Sequence, residues 1–467
     1  MPYSENHEGR DNATSRLMSP TSKRNKRWFW QGKERQIVRT IVALTLSVIV
    51  IAVGSALLWS SSTNRYTIDP HDNDFIQYMC NQRDEILSAQ KTKDQVIEQE
   101  KHDEISEWNR SPYLRTSNTL VNETLNETVW QGLPVKGAFY MMVFNQKLQE
   151  ARETVRSIED RFNHKMGYPW IFLNNQYFTP EFRKYIKKLT NAPVFFGKID
   201  SDVYGYPNWI DIDRAERLTN VVSVEFEDVY KLRHLSYHQM LRYQAGLFAR
   251  HSLFDNVDYV WRVEPGAYYP CDITFDPFRH MRDNKKKIGF VLTMKENFWS
   301  LPTFWEAIQI FMSQNRHLVL PSNQTIMPWI LDEENEYNLC HFWSNFEIMD
   351  LSFIKSPSYR RFFEFLDGTG NFFYQRWGDA PVRTVAAALF LKREQIEFFD
   401  KIGYSHSVAQ HCPFVPDDGQ KCSCNVVEDH GFTDGSCTSN LLRLIEPNML
   451  VEMIRVARSN SMATIVD

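Results

Sequence analysis

The run Tyr337-Asn338-Leu339-Cys340-His341-Phe342-Trp343-Ser344-Asn345-Phe346-Glu347-Ile348 sets a carboxylate, two amides, an imidazole and four aromatic rings side by side. Such a segment reads as the wall of a pocket. Glu347 sits between Phe346 and Ile348, and a carboxylate is costly to bury unless something pairs with it or its charge is used. Glu347 is either a satisfied core acid or a working one. A second acid, Glu264, closes the apolar run Val257-Asp258-Tyr259-Val260-Trp261-Arg262-Val263 and leads into Pro265-Gly266, with Cys271-Asp272 and Asp276 close behind. A strand-end carboxylate beside a turn suits Mg²⁺ or Mn²⁺, which prefers oxygen ligands and completes its shell with phosphate and water. The competing reading is a structural ion pair between Glu264 and Arg262, two apart on one strand face.

Three further residues could join such chemistry. Tyr237 lies in the helical pattern Ser236–Tyr243, where it shares a face with Leu241; alone it would pass for core packing. Asp379 follows Trp377-Gly378 at a turn into the apolar helix Val382–Leu391, where a carboxylate can cap the helix or contact a substrate. His406, in Ile402-Gly403-Tyr404-Ser405-His406, would by itself be a surface histidine.

The elements that must position these groups alternate. Gly137–Phe144 is a buried-strand pattern, Leu148–Phe162 a helix, Pro169–Leu173 a strand, Phe182–Leu189 a helix and Pro193–Gly197 a strand. Alternation at this spacing predicts βαβ units in an α/β fold with a mostly parallel sheet flanked by helices. Ligands then bind beyond the carboxyl ends of the strands, which is where Glu264 falls.

The chain of 467 residues, 43% hydrophobic and 14% aromatic, can bury a large core. Its formal charge of −5 is small and no long basic block lies outside the N-terminal tail, so no nucleic-acid partner is expected. Residues 1–39 form a basic, polar tail. Residues 40–59 are 20 uncharged residues, which as a helix span roughly 30 Å, the thickness of a bilayer's hydrocarbon core. Lys and Arg precede this run in excess, so the tail is expected in the cytosol and everything after Trp59 in a lumen or outside. Residues 60–135 read as a polar stem, with sequons at Asn109, Asn122 and Asn126 and another at Asn323. The globular part is expected over 136–467.

Taken together, WRVEP at Trp261–Pro265, CDI at Cys271–Ile273, YNLCHFWSNFE at Tyr337–Glu347, RWGDAP at Arg376–Pro381 and IGYSH at Ile402–His406 closely resemble the fungal Golgi Ktr α-1,2-mannosyltransferases, glycosyltransferase family 15. The resemblance runs from about Lys136 to Pro447 and keeps motif order. It implies a GT-A-like catalytic domain behind a signal anchor, single-pass and type II in the Golgi membrane, with that domain in the lumen. It further implies transfer of mannose from GDP-mannose to an α-mannoside of an N- or O-linked glycoprotein glycan. By the same resemblance Glu264 and His406 would ligate Mn²⁺, Arg262 and Glu264 would meet the nucleotide, Glu347 would be the nucleophile, and Tyr237 and Asp379 would line the donor and acceptor pocket. Mn²⁺ accepts imidazole better than Mg²⁺ does, which gives His406 a reason to be there.

Two departures from the family pattern bear on this. Gly266 stands where many relatives have Asp, and Phe144 where many have Arg. A glycine at that place also occurs in a relative linked to mannosylphosphate transfer, so a mannosylphosphate transferase is the nearest alternative. An inactive mannoside-binding scaffold of the same fold is the alternative from another class. Seven cysteines suit an oxidising compartment and leave at least one unpaired within the chain. The cluster Cys412, Cys422, Cys424 and Cys437 is expected to form disulfides, with zinc as the rival reading.

Overall fold

The computed structural model describes residues 125–225 and 235–460. The tail, the apolar run 40–59, Cys80 and the sequons at Asn109 and Asn122 lie outside them. The strands are β1 (Gly137–Met142), β2 (Trp170–Asn174), β3 (Val194–Lys198), β4 (Tyr259–Val263), β5 (Ile288–Phe290), β6 (Thr293–Lys295), β7 (Cys340–Phe342), β8 (Phe346–Asp350), β9 (Ile396–Phe398), β10 (Tyr404–His406) and β11 (Ala409–His411). Seven of them form one sheet in the order β3-β2-β1-β4-β8-β5-β9, and β6-β7 and β10-β11 are separate pairs. The first four neighbours and β5-β9 pair in parallel, while β8 runs antiparallel to both β4 and β5. The sheet is therefore mixed and mostly parallel.

Every residue of β1, β2, β4 and β8 is buried, as a sheet covered on both faces requires. On one face, alternate residues Phe139, Trp170, Phe172, Trp261 and Phe346 join a ring-packed core with Phe162 and Phe278. On the other, Tyr140, Ile171, Val260 and Met349 belong to a larger core that also takes in Val382, Val385, Ala386 and Leu389 of the helix Asp379–Phe390. β1 lies between β2 and β4, so the chain reverses its direction of sheet growth there, opening a crevice at the carboxyl ends of these strands.

Packing begins earlier than the stem boundary read from composition. Leu125 and Trp130 are buried in the larger core, and the Trp130 indole N–H donates to the Gly137 carbonyl at 2.8 Å. The polar run before Lys136 thus hides two apolar anchors. The first helix, Leu148–Ile158, continues through a π-turn at Glu159–Asn163. The zinc reading of the cysteine cluster does not hold: its sulfurs are joined as Cys271–Cys422, Cys340–Cys437 and Cys412–Cys424.

Tyr237 sits on the helix Leu235–Arg242, whose last residue anchors it. Arg242 donates from Nε and Nη2 to both oxygens of Asp367 at 2.6 and 2.8 Å, and from Nη1 to the Val203 carbonyl at 2.9 Å. Both partners are buried, so truncating one strands the other's charge away from water. Asp367→Ala is expected to lower unfolding stability by about 3 kcal/mol or more, read from the urea midpoint at unchanged slope.

Candidate active site

Glu264 is the first residue past β4, in a tight turn. The Ala267 N–H donates back to the Glu264 carbonyl at 3.1 Å, and Gly266 has φ +85°. Proline followed by a residue at positive φ is the pattern of a type II turn, which favours glycine at its third position. This accounts for Gly266: the backbone selects it, whatever acidic contact is lost. Phe144 is likewise followed by an occupied residue, because the Asn145 side chain bonds the Tyr177 carbonyl and the Thr179 N–H.

The turn brings His406 close. A β-carbon at Gly266 would lie 3.8 Å from His406 Cε1, and Tyr268 exchanges two backbone hydrogen bonds of 2.8 Å with Ser405. The Trp343 ring is 5.8 Å from the His406 ring, so the Tyr337–Ile348 segment borders the same place. Glu264 keeps 24% of its side chain exposed, with Arg262 Nη2 3.5 Å away. One carboxylate and one imidazole around a solvent-facing turn fit a divalent ion that accepts both oxygen and nitrogen, with room for phosphate and water. Among the described residues, the group of three sulfurs at Cys271, Cys422 and Cys424 is taken up by disulfides and does not compete.

Beneath this edge lies a buried set of four charges. Arg262 and Glu347 face each other across the antiparallel β4-β8 pair, so both side chains point to the same face of the sheet. Over that face runs the helix Asp379–Phe390, which presents Asp379 and Arg383 one turn apart. Arg262 bonds Asp379, whose Oδ2 also accepts from Ser344 Oγ at 2.8 Å. Arg383 Nη2 donates to the Gln244 carbonyl at 2.7 Å, and its Nε lies 2.9 Å from Glu347 Oε1. That last contact is close but poorly aligned: neither Arg383 Nε nor either Glu347 oxygen makes a hydrogen bond within the protein.

Two local readings change accordingly. Asp379 is not the helix cap, a position that Gly378 takes without any side-chain bond. Its carboxylate turns down to Arg262 and Ser344 instead. The structural pairing of Arg262 with Glu264 is the weaker of two, since Asp379 is the nearer partner. Burial pushes the Asp379 carboxyl up, yet Arg262 and Arg383 outweigh it and hold the group below the usual carboxylate range. For Glu347 burial wins: although Arg383 and Arg262 pull the carboxyl down, it is pushed up to about 7. The cations that offset its burial are these two arginines.

Tyr237 feels the same field. Burial pushes its phenol up to about 12, with Arg376 opposing and Asp379, Glu296 and Glu264 adding. The structure thus gathers Glu264, Arg262, Glu347, Asp379, Tyr237 and His406 at one end of the sheet. Arg383, Ser344 and Gln244 were missed from sequence. Arg383 had a signal, a lone cation inside the apolar run Pro381–Phe390 four residues after Asp379. If Arg383 holds Glu347 near neutrality, Arg383→Met should raise the Glu347 titration midpoint by about one pH unit or more. The check is the infrared carboxyl band that disappears in Glu347→Gln.

The family model for glycolipid 2-alpha-mannosyltransferase matches residues 81–446. Glycolipid 2-alpha-mannosyltransferase 2 of Candida albicans is 41% identical over 306 residues, 65% of this chain and 66% of that protein. Alpha-1,2 mannosyltransferase KTR1 of Saccharomyces cerevisiae is 39% identical over 318 residues, 67% of this chain and 80% of that one. Among solved structures, the S. cerevisiae mannosyltransferase Ktr4p in complex with GDP matches with a TM-score of 0.64 at 30% identity, covering 76% of this chain and 95% of its own. Core-mannan synthase A of Aspergillus fumigatus in its Mn/GDP form gives 0.63 at 30% identity, covering 67% and 86%. With the model spanning most of its length, the chain belongs to the glycolipid 2-alpha-mannosyltransferase family.

Proposed function

We propose that this chain transfers mannose from GDP-mannose to a hydroxyl of an α-mannoside, with Mn²⁺ and with retention at the anomeric carbon. One observation carries the reading: adjacent strand ends place a solvent-facing acid, Glu264, beside a desolvated acid, Glu347, with two arginines beneath. The relatives lend support, being named α-mannosyltransferases, and the Ktr4p and core-mannan synthase A structures hold GDP and Mn/GDP.

Glu264 and His406 would hold the Mn²⁺, which when bound offsets negative charge gathering on the departing GDP. Arg262 lies 3.5 Å from Glu264 and steadies that carboxylate on the nucleotide side. Glu347 acts ionised, either attacking the anomeric carbon or stabilising the positive charge that develops on the sugar. Its low-dielectric setting strengthens that interaction and makes ionisation the controlling step. Arg383 aims and charges Glu347, while Asp379 neutralises Arg262 and shares a wall with Tyr237, where the acceptor would enter. We assign the acceptor to glycoprotein glycans and the linkage to α-1,2. We further assign the chain to the Golgi membrane through residues 40–59, with the catalytic part in the lumen.

The test is incubation with GDP-mannose, Mn²⁺ and methyl α-mannoside. The expected products are GDP and an α-linked disaccharide, and Glu347→Gln should cut turnover at least about 10²-fold. Release of GMP would instead identify mannosylphosphate transfer; no product, or full activity in Glu347→Gln, would contradict an enzyme working through Glu347. Because the base form of Glu347 is required and its carboxyl is pushed up to about 7, kcat/KM should rise with pH along a limb centred near that value.

A further inference from the structure

The hairpin that carries His406 hangs from a buried hub at its other end. β10 and β11 pair Tyr404 with His411, Ser405 with Gln410 and His406 with Ala409. The connection is the two-residue turn Ser407-Val408, with Ser407 at φ +51°. His411 is only 1% exposed. Its Nδ1 is 2.8 Å from Asp429 Oδ2 and its Nε2 is 2.9 Å from the Asp400 carbonyl oxygen. Both neighbours are pure acceptors, because Asp429 also receives the N–H groups of Cys412 and Gly431 and so presents carboxylate oxygens. A neutral imidazole has one N–H to give, and this site calls for two.

We propose that His411 is a positioning residue: held as an imidazolium between Asp429 and Asp400, it fixes the β10-β11 hairpin and thereby the aim of His406. The inference rests on the metal reading given under Proposed function. The charged groups facing His411 are those two aspartates, and the rings against it are Phe398 and Phe414. Burial pushes the imidazole down, but Asp429 and then Asp400 outweigh it and raise it. A raised value means that the hub's stabilisation is fully present below the ordinary histidine range and is lost as pH rises through the higher folded value.

The hub reaches further than one bond. Asp400, just past β9, also accepts the N–H groups of Phe414 and Val415 at 3.0 and 2.8 Å, while Asp429 ties the loop before the helix Thr438–Ile445. Three chain segments therefore meet at His411. On the metal side the hairpin is held as well by the Tyr268–Ser405 bridge and by the Tyr404 ring, which packs against Tyr269, Trp343 and Phe346. Without the hub the β11 side of the hairpin would lose its polar anchor, and the set of His406 relative to Glu264 would loosen.

The test measures Mn²⁺ binding to the full-length chain with GDP, from the spin-resonance signal of free Mn²⁺. His411→Asn should weaken Mn²⁺ about 10-fold, the lower end of the range for residues that orient a ligand. GDP affinity in the presence of a chelator should stay as in the wild type. His406→Ala should weaken Mn²⁺ as well, and the double variant should lose no more than His406→Ala alone, since His411 acts through His406. A merely structural histidine would give additive losses or none. Asp429→Asn, which keeps the shape, should show a smaller loss in the same direction and decides the matter if His411→Asn does not fold. Unchanged Mn²⁺ affinity in the folded His411 and Asp429 variants, with His406→Ala impaired, would overturn this inference alone. Unchanged affinity in His406→Ala would overturn the metal reading and the inference with it.

Discussion

Two arginines and two carboxylates shut between a sheet and a helix form the constraint on which the rest of this structure depends. Arg262, Arg383, Glu347 and Asp379 are each no more than 4% exposed, and charges so placed are tolerable only when every one has an opposite neighbour. The pairing is uneven. Asp379 receives Arg262 and Ser344 in good geometry, while Glu347 receives only a misaligned approach from Arg383. The set is neutral overall yet leaves one acid poorly satisfied, and that acid, Glu347, is the one we propose acts on the sugar.

The architecture around it serves to hold that imbalance. Antiparallel β8 is inserted beside parallel β4, which sets Glu347 opposite Arg262; a parallel neighbour would have changed the register and the partner. The helix Asp379–Phe390 crosses above, so its first two turns supply the anion for one strand and the cation for the other. Tyr237 is fixed from below by the Arg242–Asp367 pair, and His406 from the side by its hairpin. Helices and strands carry these groups, and Glu264 sits in a hydrogen-bonded turn at the end of β4.

Much of this was legible from residue order. Glu264 at a strand end, the alternating strands and helices, and the concentration of polar and aromatic groups in Tyr337–Ile348 followed from local pattern, and the motif resemblance tied the distant pieces together. The partnership of Asp379 and Arg262 was not legible, because it joins residues 117 apart through the docking of a helix on the sheet, which no local pattern encodes. Arg383 went unnoticed because an apolar helix dominates its surroundings. The burial of Leu125 and Trp130 was hidden for the opposite reason, since they are two apolar residues in a polar stretch and their packing depends on what they dock against. Cysteine pairing belongs to the same class, being a matter of which loops meet.

That pairing has a bearing on synthesis. Cys271 and Cys422 are 151 residues apart and Cys340 and Cys437 are 97 apart, so the two loops interlock in chain order. During translation Cys271 and Cys340 emerge long before either proper mate, and the first crosslink open to them joins the wrong two thiols. Maturation of this chain accordingly favours a cell compartment equipped with thiol–disulfide isomerase, and a reducing bacterial cytoplasm would be a poor host for producing it.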